Sequence, residues 1–152
     1  MTPEEIIEDF QSFSDWEDRF CYLLDLADEL PDMDEADKTD ENRLFGCQSR
    51  VWLKSELLPT DPPVLHFTGD SDAQLVRGLV AIVINVCNGR TSQQILDFDI
   101  AGFFKALELE RQLTRTRATG LASMVKRIKE IASAYEVMES SRFRRNFASP
   151  LV

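Results

Sequence analysis

The chain has 152 residues, of which 43% are hydrophobic and 29% charged, with a formal net charge of −10. That is enough for one domain burying roughly two-thirds of its unfolded surface, and it excludes a wholly disordered chain and a general nucleic-acid binder. The charge is uneven: residues 1–42 hold 16 Asp and Glu against Arg19 and Lys38 alone, a balance of −14, while the remainder balances +4. Such asymmetry either solvates helices or steers a protein partner.

Thr2-Pro3-Glu4-Glu5 has the pattern of a capping box with proline at the first helical position, so a helix is expected from Pro3 to about Phe10. The same acidic stretch lacks the basic character of a secretory signal or transit peptide. A second helix is expected over 14–30, capped by Ser14 with Glu17, its stripe formed by Trp16, Phe20, Leu23 or Leu24, Ala27 and Leu30. Cys21 lies beside that stripe and reads as packing. Pro31 ends the helix, and an acidic connection follows.

Residues 48–58 alternate as a strand, with Val51, Leu53 and Leu57 on one face and Trp52, Lys54 and Glu56 on the other. PTDPP (59–63) reads as a turn and 64–70 as the antiparallel partner. NRLF (42–45) offers a third strand. Residues 69–90 predict a core helix that is apolar nearly all round, capped by Ser71 and stopped at Gly89. Asp72 would then sit in its first turn. Thr91 with Gln94 starts a short helix, IAGFFKAL another, and 113–138 a long amphipathic one with a stripe of Leu121, Met124, Val125, Ile128 and Ile131 or Ala132. The order predicts a single α+β domain over 1–138, a small antiparallel sheet packed against helices, with 139–152 as a basic, flexible tail. The longest apolar run, 75–87, is too short to span a bilayer. A soluble, cytoplasmic protein is expected.

Cys21, Cys47 and Cys87 are an odd number with no CxxC spacing, which opposes a disulfide framework and a closed zinc site. Cys87 ends the apolar run as a small hydrophobe. Cys47 differs. Gly46 removes a side chain beside its sulfur, Gln48 and Ser49 offer local hydrogen bonds, and Arg43 and Arg50 flank it and would favour a thiolate. Two chemistries suit such a thiol. One is a Cys–His nucleophile using His66, the only histidine. The other is a sulfur carrier, whose thiolate takes the outer sulfur of a donor persulfide and needs no metal or general base.

The segments GCQSRVW (46–52), FTGDSDAQLVRGL (67–79), FD (98–99) and LTRTRATGLASM (113–124), together with DWEDRFCYLLDLADELP (15–31), resemble the SufE family of sulfur acceptors, in the same order over about residues 5–133. The resemblance implies a SufE/IscU-like α+β fold. It implies that Cys47 accepts persulfide sulfur, supported by Gly46, Gln48 and Ser49. The donor would be a PLP-dependent cysteine desulfurase of the SufS or CsdA type, which the protein stimulates, and the recipient a SufBCD-type scaffold. Asp72 and Arg117 would face the desulfurase. No cofactor or metal of its own is implied, and the protein would be a sulfur-transfer partner in iron–sulfur cluster assembly rather than a stand-alone enzyme. Arg115 stands where relatives often carry proline. The alternatives are an IscU-like iron–sulfur scaffold, which needs several thiolates at one site, and a non-catalytic desulfurase-binding module.

Overall fold

A computed structural model describes residues 2–45, 49–109 and 113–148. Helix α1 spans Pro3–Ser12 and begins with the expected capping box: the Glu5 amide donates to Thr2 Oγ1 and the Thr2 amide to Glu5 Oε2, each at 3.2 Å. It buries Ile6 and Phe10. Helix α2, Trp16–Glu29, is capped one residue later than expected: Asp15, not Ser14, accepts from the Asp18 amide at 3.0 Å. Its buried face runs through Leu23, Leu26, Ala27 and Leu30. At about 100° per residue, position 21 points away from that face, so Cys21 is exposed and is not packing as expected.

The sheet has the order β1-β2-β3, all antiparallel, with β1 at Arg43–Leu44, β2 at Val51–Leu58 and β3 at Val64–Ser71. The alternation in β2 holds: Val51 and Leu53 are buried and Leu57 half-buried on the core face. Helix α3, Gln74–Cys87, buries ten of its fourteen residues and is the central element, packed between β3 and α2. Two glycines set these approaches. A Cβ at Gly69 would meet Val80 Cγ1 at 2.7 Å, and one at Gly78 would overlap the Leu23 carbonyl. Each fully buried large side chain here, such as Phe10, Leu65, Phe67 or Ile82, contributes about 1.5–3 kcal/mol.

Ser71 is not the cap of α3. It is the last residue of β3, and Ala73 occupies the N-cap without a side-chain bond. The far end of α3 is joined to β3: Asn88 accepts from the Phe67 amide at 2.7 Å, and Leu65 exchanges backbone bonds with Gly89 and Arg90. Gly89 takes φ +79, the left-handed region glycine adopts without strain.

Helix α4, Ser92–Asp97, carries the expected Thr91–Gln94 box, and α5 spans Ile100–Ala106. Helix α6 runs Arg115–Ala148, past the expected end at Met138, and buries Leu121, Met124, Ile128 and Ala132. Lys129 fixes α6 to the end of α4 by donating to the carbonyls of Ile95, Leu96 and Phe98 at 2.6, 3.0 and 2.6 Å. Among the described residues no helix is long and apolar enough to cross a membrane. The result is the α+β architecture expected, a three-stranded antiparallel sheet packed against helices.

Candidate functional site

The cysteine segment joins β1 to β2. Its last pair before the connection is Leu44↔Val51, so residues 45–50 link the strands, and Gly46, Cys47 and Gln48 lie outside the described residues. Both chain limbs that lead to them are well held. On the first, the Leu53 amide donates to the Asn42 carbonyl at 2.8 Å, and Asn42 Nδ2 donates to the Asp37 carbonyl at 2.8 Å. On the second, three hydrogen bonds converge on Arg50. Its amide donates to Asp72 Oδ1 at 3.0 Å, and its carbonyl accepts from the Asp72 amide at 3.2 Å and from Ser71 Oγ at 2.7 Å. Ser49 is half-buried beside this clamp.

Asp72 is therefore not in the first turn of α3, as expected, but precedes the helix and is exposed. Its backbone and carboxylate hold the second limb of the cysteine segment. Arg117 is exposed in the first turn of α6, its amide accepted by Thr114 Oγ1 at 3.2 Å. Among the described residues no ion pair joins Arg117 to Asp72.

His66 does not approach this end of the sheet. It pairs with Glu56, five positions along β3 from the Val51↔Ser71 pair, which is about 17 Å at strand spacing. A dyad with Cys47 is thus disfavoured. The other two thiols also stand apart. Cys21 is exposed on α2. Cys87 is buried at the end of α3, where burial pushes its thiol up to about 12 against a smaller opposing effect of Arg90 and Lys129. Among the described residues no group of His, Cys, Asp and Glu is arranged to hold a metal ion.

Beside the first limb, Phe45 is 65% exposed, with the Arg43 guanidinium 5.2 Å from its ring centre. An exposed aromatic with a stacked arginine is the composition that interface anchors favour. A pocket of about 420 Å³ opens there between residues 40–45 and α6, with Arg43, Leu44 and Phe45 facing Lys126, Arg127 and Glu130.

Beneath the second limb lies a feature that sequence reasoning missed. Asp70 is 2% exposed and pairs with Arg77 Nη1 at 3.1 Å and Lys38 Nζ at 3.5 Å. Arg77 also reaches Asp32 and the carbonyls of Ala27 and Leu30 at the end of α2. Lys38 is held by Glu35 at 2.8 Å and lies 5.3 Å from the Trp52 ring centre. Its hydrogen bond to Glu35 and the charge of Asp70 raise its pKa. The available signal was an arginine inside the apolar run LVRGLVAIV and an aspartate at a strand end, because charges there are retained only when paired.

Residues 4–132 match the SufE family, described as an Fe-S metabolism associated domain. An uncharacterised SufE-like protein of Rhizobium etli is 44% identical over 131 residues, covering 85% of this chain and 88% of the relative. One from Rhizobium meliloti is 42% identical over 130 residues, covering 85% and 93%. The solution structure of a hypothetical protein from Thermus thermophilus superposes with a TM-score of 0.71 at 19% identity, covering 87% of this chain and 93% of that one, which supports the fold. The cysteine segment and its two anchored limbs fall within the matched span, and the chain belongs to the SufE family of iron–sulfur metabolism.

Proposed function

We propose that this protein accepts sulfur on Cys47 from a PLP-dependent cysteine desulfurase of the SufS or CsdA type, stimulates that enzyme, and delivers the sulfur to a SufBCD-type scaffold. The observation that carries the reading is family membership over residues 4–132, with the segment GCQS inside it. The two anchored limbs add support: residues 45–50 leave paired strands at Leu44 and return to a triply bonded Arg50.

The transfer is a displacement at sulfur. The Cys47 thiolate attacks the outer sulfur of the donor persulfide, forming a new S–S bond as the donor's S–S bond breaks. The donor leaves as a thiolate, Cys47 becomes the persulfide, and the proton of the transferred sulfhydryl travels with it. No net oxidation occurs. Arg43 and Arg50 flank the cysteine in sequence, and a cation brought beside the sulfur would favour the anion. In this reading Gly46, Gln48 and Ser49 support Cys47 in the sequence around it, and Asp72 and Arg117 contribute to the desulfurase-facing side. Removing sulfur from the donor regenerates it for the next turnover, so carrying and stimulation are one event. The cytoplasm, which keeps unpaired thiols reduced, suits this chemistry.

A Cys47→Ser variant tests it. The expected result is binding to a SufS-type desulfurase with loss of stimulation. Stimulation equal to wild type overturns the carrier reading and favours a non-catalytic binding module.

A further inference from the structure

The two oxygens of the Asp70 carboxylate face two different chain segments. Oδ1 accepts from the Ser71 amide at 2.8 Å and meets Arg77 Nη1 at 3.1 Å. Oδ2 accepts from the Met33 amide at 3.4 Å and meets Lys38 Nζ at 3.5 Å. Following each oxygen outward leads to a different end of the cysteine segment.

From Oδ1 the path is short. The fixed Ser71 donates its hydroxyl to the Arg50 carbonyl at 2.7 Å, and Arg50 begins the second limb. From Oδ2 the path runs through the connection between α2 and β1. Met33 is 3% exposed, and Lys38 is held over Trp52, the residue paired with Asp70 across the strands. That connection continues through Asp37, which meets Lys54 Nζ at 3.2 Å and accepts from Asn42 through its carbonyl, and so into Arg43. One buried carboxylate therefore ties both limbs.

The charges are not needed to fill the core. Arg77 is the only charged residue on α3, and its helix neighbours Leu75, Gly78, Leu79 and Val80 are all buried. Apolar residues of similar size in place of a buried ion pair are often neutral or stabilising, so such a pair is weak evidence for stability. In some proteins such hydrogen-bonded charges fix geometry rather than add stability, and removing either sign leaves the other uncompensated.

The geometry points to Asp70 as a positioning residue for sulfur transfer, the shared tether that sets where residues 43 and 50 present the acceptor thiol. This rests on Cys47 being the acceptor. Asp70 touches no substrate; it acts through Ser71–Arg50 on one side and Met33–Lys38 on the other.

Asp70→Asn in the full-length protein tests it, because asparagine keeps one oxygen and the volume but not the charge facing Lys38 and Arg77. Two readouts are taken, with a persulfidated SufS-type desulfurase as donor. In single-turnover transfer, the rate at saturating donor is expected to fall about tenfold while the half-saturating donor concentration holds, as misplacement rather than weakened docking requires. In amide exchange, peptides covering 43–53 and Met33 are expected to open about tenfold faster, with those of α4 and the Lys129 region unchanged. Lys38→Met removes one of the two Oδ2 contacts, leaving the Met33 amide on Oδ2 and both Oδ1 contacts in place, and is expected to accelerate exchange at 33–45 more than at 49–53, which keeps the test decisive if Asp70→Asn does not fold. An unchanged saturating rate, or exchange that rises equally across the chain, overturns the proposal. A wild-type protein that takes up no persulfide would overturn the carrier reading, while the exchange readout would still decide the tether.

Discussion

Arg50 and Asp72 are joined by two reciprocal hydrogen bonds. The Arg50 amide donates to the Asp72 carboxylate at 3.0 Å, and the Asp72 amide donates back to the Arg50 carbonyl at 3.2 Å. The pair lies 22 residues apart in sequence and closes the gap between the start of β2 and the end of β3. Asp72→Ala removes the acceptor and leaves the Arg50 amide to solvent. The cost is expected to be about 1 kcal/mol, or roughly 2–4 °C in Tm, with faster exchange at the Arg50 amide. Asp72→Asn retains an acceptor oxygen and is expected to lose less. Thermal unfolding and exchange of the two variants check this; equal loss in both would show that charge, not the hydrogen bond, holds the clamp.

Phe45 is open to solvent and stacked by Arg43, two residues from Cys47 in the chain. That nearness in sequence makes it a candidate contact for a partner that reaches Cys47. Phe45→Ala is expected to weaken desulfurase binding about tenfold, the size of a modest interface anchor, and to leave Tm unchanged because the ring is not part of the core. A titration of labelled protein with the desulfurase reads the affinity. Unchanged affinity would remove Phe45 from the docking surface.

The two thiols outside the cysteine segment are expected to behave oppositely. Iodoacetamide at neutral pH should modify Cys21, which is exposed, and spare Cys87, which is buried. Burial holds the Cys87 thiol protonated up to about 12, whereas an unfolded cysteine ionises near about 8.5. The unfolded chain therefore releases this proton first. The stability Cys87 contributes is complete below about pH 8.5 and is lost as pH rises toward the folded value. Urea unfolding of wild type and Cys87→Ala between pH 7 and 11 checks the sign: the wild-type advantage should shrink with pH. A constant difference would contradict it.

Local signals explain which parts of this structure were legible in the sequence. The Thr2–Glu5 and Thr91–Gln94 boxes span three residues each, and both formed as the pattern implies. The alternation of Val51 and Leu53 placed the core face of β2, and the apolar run after Leu75 placed the central helix. The errors arose where a tertiary partner decided the outcome. Ser71 looks like a helix cap, but the Arg50 carbonyl engages its hydroxyl across the sheet and keeps it in β3. Cys21 sits among apolar letters, yet α2 turns Leu23, Leu26 and Ala27 inward and leaves it outside. Arg77 and Asp70 carried a signal as charges in apolar surroundings, but their further partners did not, because Arg77 and Asp32 are 45 residues apart and Met33 and Asp70 are 37 apart. The assignment of Cys47 rests on its sequence neighbours Gly46 and Gln48 and on the resemblance those residues carry, since 46–48 lie outside the described residues.

The most direct measurement is a mass map after incubating the protein with a SufS-type desulfurase and L-cysteine. Cleavage after Arg43 and Arg50 releases LFGCQSR, in which Cys47 is the only thiol. That peptide is expected to gain the mass of one sulfur atom, to lose it on treatment with a reductant, and to remain unmodified in Cys47→Ser. Sulfur found on Cys21 instead, or an unmodified LFGCQSR alongside a desulfurase that is nonetheless stimulated, would contradict sulfur transfer through Cys47.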